Sequence, residues 1–269
     1  MVGFHGSSAG SHSGVATRDA TKAGASVMKR QILFLFAFLS WLGCSENTPT
    51  NGGEAGQPLR VEWQEGDVIV AMGTSLTFGY GSGCRVLPPR SPCSGDSSYP
   101  TLLSNELRLP VINLARLRST TADGLGQMSS ALLLNPVLVV LEYGANDLIQ
   151  GVSLENSRAN LSRMIEGFHE AGSAVILLSA MHPDMIEKTP ESHRLQGLSE
   201  GALAYHAMII ELANLYELPV VDYLFEGIWW KRELMFDELH PNGMGYLIMK
   251  DNILSNLSAY FVANDMMDS

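Results

Sequence analysis

Five short apolar runs, separated by stretches with helical character, constrain the possible fold more than any other feature of this sequence. The third run, Val137-Leu-Val-Val-Leu-Glu-Tyr143, is apolar almost throughout, which is typical of a strand covered on both faces. Strands that alternate with helices favour a parallel sheet between two helical layers, and short crossovers between the strands suit a flavodoxin-like order. The sequence therefore predicts an α/β protein, a three-layer α/β/α sandwich with a five-stranded parallel sheet in the flavodoxin-like order 2-1-3-4-5. The five runs cover residues 67–72, 111–113, 137–143, 174–178 and 219–222.

Helices are predicted between these runs. Residues 154–171, for example, place Leu161, Ile165 and Phe168 on one side of an amphipathic helix that Gly172 ends. The predicted helices cover residues 99–107, 121–134, 154–171, 198–215 and 242–263, and residues 182–196 are predicted to form a loop. Because the alternation is uninterrupted and no segment repeats, we assign one folded domain to residues 61–263 and a short tail to residues 264–269.

The composition is that of an ordinary globular protein, with 46% hydrophobic and 17% charged residues. The formal net charge is −11. An acidic chain of this kind is not expected to bind nucleic acid or an anionic membrane surface.

The N-terminal sequence carries the pattern of a secretory signal. Residues 1–27 are rich in Gly, Ser and Ala, and we expect them to be disordered or untranslated. In residues 28–44, two cations precede an apolar run that ends at Leu42-Gly-Cys44, which fits a signal peptide. The apolar run falls short of the roughly 20 residues that a membrane-spanning helix needs. Residues 45–60 are polar and rich in Gly and Pro, which predicts a flexible linker.

The end of this signal resembles the lipobox of bacterial lipoproteins, whose cysteine carries the lipid. The resemblance predicts lipidation of Cys44, although Trp41 stands where the lipobox usually has Leu, and ordinary signal cleavage nearby is the alternative. Lipidation and ordinary cleavage both predict export from a bacterial cytoplasm to the periplasm or the outside. Membrane attachment is expected only if Cys44 carries a lipid. In an oxidising compartment Cys84 and Cys93 are expected to form a local disulfide. A metal site is not expected there, because neither Cys has a second Cys or a His at metal-ligand spacing.

Polar residues gather where two of the predicted strands end and in one turn near the C-terminus. The first strand runs into Gly73-Thr74-Ser75, and the third into Gly144-Ala-Asn146-Asp147. α/β proteins place ligands at this edge of the sheet, although a plain Gly/Ser turn also explains the first motif taken alone. The turn Asp237-Glu-Leu-His240 can place a carboxylate against an imidazole, and a Ser hydroxyl needs such a base to become a nucleophile.

Taken in this order, the motifs resemble the four sequence blocks of the SGNH (GDSL) hydrolases, especially their arylesterase, thioesterase and lysophospholipase branch. The resemblance extends over residues 61–263, and it implies the fold of that family. The four matching blocks are Gly73-Thr-Ser75-Leu, residues 113–125, Gly144-Ala-Asn146-Asp and Asp237-Glu-Leu-His240-Pro-Asn.

Residue by residue, the resemblance implies a triad of Ser75 as nucleophile, His240 as general base and Asp237 as the group that orients His240. It also implies an oxyanion hole formed by the backbone N–H groups of Ser75 and Arg118 and the side-chain amide of Asn146. Such donors are each worth roughly 3–4 kcal/mol. The implied activity is hydrolysis of acyl, aryl or lysophospholipid esters through an acyl-enzyme, with no cofactor or metal ion. We expect a monomer whose partner is a small-molecule or lipid ester.

The chain departs from the family pattern at two positions. Thr74 replaces the Asp before the nucleophile, and its hydroxyl is expected to retain a local hydrogen bond. Arg118 replaces the Gly whose N–H completes the oxyanion hole, and Gly often occupies positions that demand a positive φ. The Arg118 side chain can fill the pocket or bind an anionic group of the substrate.

These departures leave other functions open. A catalytically silent binding lipoprotein on the same scaffold is one alternative, and an acyltransferase or deacetylase acting on sugars is another. His182 fits either the wall of an acyl pocket or a surface loop. We assign His193 to a surface or core-edge position, and Trp229 and Trp230 to core packing or a pocket rim.

Overall fold

Five parallel β-strands form the centre of the computed structural model, which describes residues 63–83, 97–193 and 195–257. Several predictions lie outside these residues and stay predictions. They concern residues 1–27, the signal peptide with Cys44, the linker at residues 45–60, the Cys84–Cys93 disulfide and the tail at residues 264–269.

The strands follow the order β2-β1-β3-β4-β5 and all neighbouring pairs are parallel, which confirms the predicted fold class and strand order. The chain moves from β1 to one side of the sheet and then returns to the other side, so β1 and β3 are neighbours at the topological switch point. Ligands bind at such points, outside the carboxyl ends of the strands. The strands are β1 (Ile69–Gly73), β2 (Val111–Asn113), β3 (Leu138–Glu142), β4 (Ala174–Leu178) and β5 (Val220–Val221).

Eight α-helices cover the two faces of the sheet in the part of the chain that the structure describes. Helices α3, α5 and α7 pack side by side in one layer, and α2 packs against α8 in the other. None of the described helices has the length and apolar character needed to cross a membrane. The helices are α1 (Ser75–Phe78), α2 (Tyr99–Leu107), α3 (Thr121–Leu132), α4 (Ala145–Gln150), α5 (Leu154–Glu170), α6 (Pro183–Glu187), α7 (Ser199–Leu215) and α8 (Gly243–Leu257).

The local sequence explains these elements. Every residue of β1 and β3 is buried, as their apolar runs predict for central strands covered on both faces. Helix α3 begins with a capping box in which Thr120 and Asp123 satisfy each other's free backbone N–H groups. Helix α5 buries Leu161 and Phe168, two residues of its predicted apolar face.

Three short helices were not predicted. Helix α1 follows β1, where the sequence predicts only a Gly/Ser turn. Helix α4 follows β3, where no element was predicted, and α6 lies within the predicted loop. Helices of four to six residues are too short to show an apolar period, and their stability comes from caps and tertiary contacts. Gly79 and Gly151 end α1 and α4 with a positive φ, which glycine adopts without strain.

Candidate active site

Ser75 is the first residue of α1, at the end of β1. The preceding Thr74 is held to the neighbouring strand, because its N–H and Oγ1 donate to Glu142 Oε2 at 2.9 and 2.7 Å. The Thr77 hydroxyl donates to the same oxygen at 3.0 Å. A Cβ on Gly73 would meet Thr77 Oγ1 at 2.2 Å and the Glu142 carbonyl oxygen at 2.8 Å, so only glycine fits there. The turn that presents Ser75 is therefore fixed by a buried carboxylate.

The structure brings Ser75, His240 and Asp237 together in one chain of hydrogen bonds. Ser75 Oγ lies 2.8 Å from His240 Nε2, and His240 Nδ1 lies 2.9 Å from both carboxylate oxygens of Asp237. With Nδ1–H donating to Asp237, Nε2 is left as the acceptor for the Ser75 hydroxyl. This arrangement can take the proton from Ser75 and stabilise the imidazolium that results.

The Asp237 carboxylate is held ionised by its neighbours. Partial burial acts to raise its pKa, but hydrogen bonds outweigh that effect and keep the pKa below the ordinary aspartate value. The Leu239 N–H and the His240 N–H each donate to Oδ1 at 2.8 Å, and the His240 ring adds its own hydrogen bond. The carboxylate is thus available to orient His240 over the neutral pH range.

The turn that carries His240 is braced by three residues, and the sequence did not reveal this role for two of them, His193 and Tyr80. His193 has a side chain that is 1% exposed, more buried than the predicted surface or core-edge position, and its Nε2 lies 3.1 Å from the Glu238 carbonyl oxygen. The Tyr80 ring packs edge-on against the His240 imidazole, with centroids 4.7 Å apart. Asn242, predicted to begin the last helix, accepts hydrogen bonds from the first backbone N–H groups of α8.

Asn146, on the first turn of α4, lies with Ser75 in the wall of the same cavity. One N–H of its side-chain amide donates to the Ser119 carbonyl oxygen at 3.0 Å. Its helix is anchored by Asp147, a fully buried carboxylate that accepts from the Thr121 N–H at 3.0 Å and from the Ser157 hydroxyl at 2.8 Å. This anchor fixes the direction of the Asn146 amide.

Arg118 adopts a φ of 63°, in the left-handed region where glycine is usual. The backbone conformation that a glycine would take at this point is therefore retained by an arginine. Its carbonyl oxygen accepts from Gln150 Nε2 at 2.8 Å, which ties this loop to α4. Among the described residues, neither the Arg118 N–H nor the Ser75 N–H has a hydrogen-bond acceptor, so both are available to a substrate oxygen. The Arg118 side chain is exposed and does not fill the cavity.

Beside Ser75 and His240 lies a largely apolar cavity of about 540 Å³, counting the volume open to solvent. Trp229 is part of the cavity wall, which agrees with the pocket rim, one of the two positions predicted for this residue. His182 is not part of the wall; it begins α6 and stacks on Tyr223 with ring centroids 4.3 Å apart. The lining residues are Thr74, Ser75, Leu76, Ala145, Asn146, Leu148, Ile149, Ala180, Met181, Met185, Leu195, Phe225, Trp229, Leu239 and His240.

The environment of Glu142 predicts that the free energy of unfolding depends on pH. Burial raises its pKa above the ordinary value, although hydrogen bonds from Thr74 and Thr77 oppose the rise. Between the ordinary glutamate pKa of about 4.3 and the raised pKa, the folded protein binds more protons than the unfolded chain. The free energy of unfolding then falls as pH rises, by at most about 1.4 kcal/mol for each pH unit of that window.

We expect Glu142→Gln to remove this part of the pH dependence. The free energy of unfolding of Glu142→Gln will be measured by urea titration between pH 4 and 8. It will differ from that of the wild type, because a buried amide N–H replaces Glu142 Oε1, an oxygen that has no partner among the described residues. The difference between the two proteins will change with pH. A constant difference over the whole range would contradict the shifted pKa.

The sequence also matches a known protein family. The model of the GDSL-like lipase/acylhydrolase family matches residues 71–248, about two thirds of the chain. The chain belongs to this family. Membership confirms the resemblance predicted from the four sequence blocks, and it makes this GDSL hydrolase an enzyme of the esterase class.

Individual relatives of this GDSL hydrolase agree with the assignment. An arylesterase of Vibrio mimicus is 26% identical over 185 residues, which cover 66% of this chain and 82% of the relative. The thioesterase 1/protease 1/lysophospholipase L1 of Escherichia coli K12 is 22% identical over 180 residues, covering 65% and 76%. The crystal structure of AlinE4, an SGNH-hydrolase family esterase, matches with a TM-score of 0.52 and 26% identity, covering 73% of this chain and 95% of AlinE4.

Proposed function

We propose that the protein is a serine esterase that works through an acyl-enzyme on Ser75. The observation that carries the proposal is the hydrogen-bonded chain from Ser75 Oγ to His240 Nε2 and from His240 Nδ1 to Asp237, at the edge of an apolar cavity. A nucleophile, a base and a group that orients the base are the parts that this chemistry requires.

The proposed reaction has two halves. Ser75 Oγ attacks the ester carbonyl carbon while its proton moves to His240 Nε2, and the carbonyl oxygen becomes an oxyanion. The tetrahedral intermediate then collapses, His240 gives the proton to the departing alcohol oxygen, and the acyl group stays on Ser75. Water attacks the acyl-enzyme with His240 again as base, which releases the acid and restores Ser75. The N–H groups of Ser75, Arg118 and Asn146 stabilise the oxyanion in both halves.

The cavity supports acyl and aryl esters as the substrate class. Its wall contains Met181, Met185, Phe225 and Trp229, and each methylene that such a wall removes from water contributes about 0.8 kcal/mol. Two relatives carry the names arylesterase and thioesterase/lysophospholipase, and we propose aryl esters, simple acyl esters and lysophospholipids as substrates for this chain on that basis.

A fluorophosphonate probe tests the proposal directly, because it reacts with a serine only where a base has activated the hydroxyl. We expect one equivalent of probe to be bound covalently, and peptide mass spectrometry to place the adduct on Ser75. Ser75→Ala will remain unlabelled, while Ser130→Ala, which removes an exposed hydroxyl on α3, will be labelled as fully as the wild type. Absence of labelling in folded wild-type protein, together with no hydrolysis of 4-nitrophenyl butyrate, would rule the proposal out.

A further inference from the structure

Arg118 carries a positive charge that has no ion-pair partner among the described residues, beside the proposed oxyanion hole. Its side chain is exposed, as is that of Arg116 in the same loop. No residue within the described ranges forms a hydrogen bond or an ion pair with either guanidinium group. The chain has 28 acidic residues against 17 lysines and arginines, so carboxylate partners are plentiful in the sequence. The acidic group nearest along the chain, Asp123, is already bonded to the N–H and hydroxyl of Thr120.

Hydrogen bonds hold this loop next to Ser75 on two sides. The Arg116 N–H donates to the Gly73 carbonyl oxygen at 3.2 Å, two residues before Ser75. On the other side, Gln150 Nε2 donates to the Arg118 carbonyl oxygen at 2.8 Å, and Asn146 Nδ2 donates to the Ser119 carbonyl oxygen at 3.0 Å. The backbone of Arg118 is therefore adjacent to the residue that contributes the amide donor of the site.

The loop lies outside the apolar cavity. None of residues 115–119 is part of the cavity wall, which is formed by residues of α1, α4, α6, the segments around Leu195 and Phe225, and the His240 turn. An ester bound with its acyl group in that cavity and its carbonyl carbon at Ser75 directs its other end away from the cavity wall. That other end is the leaving group. The Arg118 loop is outside the cavity wall and is hydrogen-bonded to Gly73 and Gln150, close to Ser75 and Asn146, so we place the leaving group on this side.

The backbone at Arg118 favours a role for the side chain. A φ of 63° is costly for a residue with a Cβ, and a glycine would relieve the strain while keeping the N–H in place. A strained residue next to reactive groups points to a functional use of what glycine lacks. In Arg118 that is a guanidinium, whose planar fork of donors matches phosphate and carboxylate groups.

We infer that Arg118, with Arg116 as a second cation, binds an anionic group on the leaving-group side of the ester. The inference rests on the proposed serine esterase function and names its substrate class: esters whose alcohol part carries a phosphate or a carboxylate close to the scissile bond. The acyl part enters the apolar cavity, and the anion stays at the surface, where a guanidinium can hold it with only a small desolvation penalty.

Two matched aryl esters test this inference. The neutral substrate is 4-nitrophenyl butyrate, and the anionic one is 3-carboxy-4-nitrophenyl butyrate, which has the same acyl group and a carboxylate on the leaving group. The readout is the ratio of kcat/KM for the anionic ester to kcat/KM for the neutral ester, which cancels any general loss of rate. A third ester, the 4-nitrophenyl monoester of glutaric acid, carries its carboxylate on the acyl side.

We expect Arg118→Gln to lower the ratio by about 3- to 10-fold, the range for one partly exposed charge-assisted contact. Arg118→Gly will lower it equally, Arg118→Lys will retain most of it, and added salt will reduce the ratio of the wild type more than that of Arg118→Gln. Arg116→Gln will give a smaller decrease. The matched control is Arg163→Gln, an exposed arginine on α5, which will leave the ratio unchanged.

An unchanged ratio in Arg118→Gln, with ester hydrolysis intact, would overturn the inference and leave the serine esterase proposal standing. A decrease that appears only with the glutaric monoester would also overturn it, because the anion would then be bound on the acyl side. If folded wild-type protein hydrolyses no ester and takes up no fluorophosphonate, both the inference and the proposed function fail.

Discussion

Replacing Ser75 with alanine will lower kcat for the hydrolysis of 4-nitrophenyl butyrate by about 10⁴- to 10⁶-fold. The reason is geometric: Ser75 Oγ is the oxygen that lies 2.8 Å from His240 Nε2, so its removal leaves the base with no nucleophile to activate. The fold will persist, because Ser75 Oγ has no other hydrogen bond among the described residues. Steady-state kinetics gives the loss of rate, and urea unfolding confirms that the variant is folded.

The same prediction extends to the pair. His240→Ala will cost about as much as Ser75→Ala, and the double variant will lose little more, because residues that act as one unit are not additive. Ser130→Ala on α3 and His169→Ala on α5 remove exposed side chains of the same types and will keep the wild-type kcat. Losses that multiply in the double variant would show that the two residues do not act in a common step.

Replacing Asn146 with alanine will lower kcat by about 10²- to 10³-fold and change KM little. One N–H of the Asn146 amide is held by the Ser119 carbonyl oxygen at 3.0 Å. The other has no acceptor among the described residues, so it can meet the oxyanion as it forms. A donor used only in the transition state affects kcat and kcat/KM equally. Both constants will be measured with 4-nitrophenyl butyrate over a full range of substrate concentration.

Two further variants interpret the Asn146 result. Asn146→Asp keeps the shape but replaces the donor with a negative charge beside the oxyanion, so its kcat will fall at least as far as that of Asn146→Ala. Asn156→Ala removes an exposed amide on α5 and will behave as the wild type. A higher KM with an unchanged kcat in Asn146→Ala would instead assign the amide to ground-state binding.

The fold was predictable because its signals are local. Strands buried on both faces must be apolar throughout, so β1 and β3 are visible as runs, and the helices between them show an apolar face. Strand order followed from short crossovers and from the family resemblance. The short helices α1 and α4 were missed because their stability depends on end caps and on contacts with distant parts of the chain.

The residues of the site also divide into those whose contacts local sequence predicts and those whose contacts depend on distant parts of the chain. Asp237 and His240 are three positions apart, so one turn brings them together and the spacing alone predicts the contact. Glu142 meets Thr74 across 68 positions of sequence. A signal did exist, since a glutamate that closes an otherwise apolar strand must be buried and paired, but its partner depends on the register between β1 and β3. The contact of His193 with the Glu238 carbonyl oxygen joins residues 45 positions apart, and no sequence pattern predicts it.

His193 and Leu195 connect the wall of the cavity to the proposed catalytic base. Leu195 forms part of the cavity wall, and its N–H donates to His193 Nδ1 at 3.1 Å. The other ring nitrogen of His193 contacts the Glu238 carbonyl oxygen in the turn that carries His240. A substitution that reshapes the wall at Leu195 therefore also disturbs the support of the base. Directed evolution towards bulkier acyl groups will progress faster through Met181 or Phe225, on parts of the wall outside residues 193–195, than through Leu195.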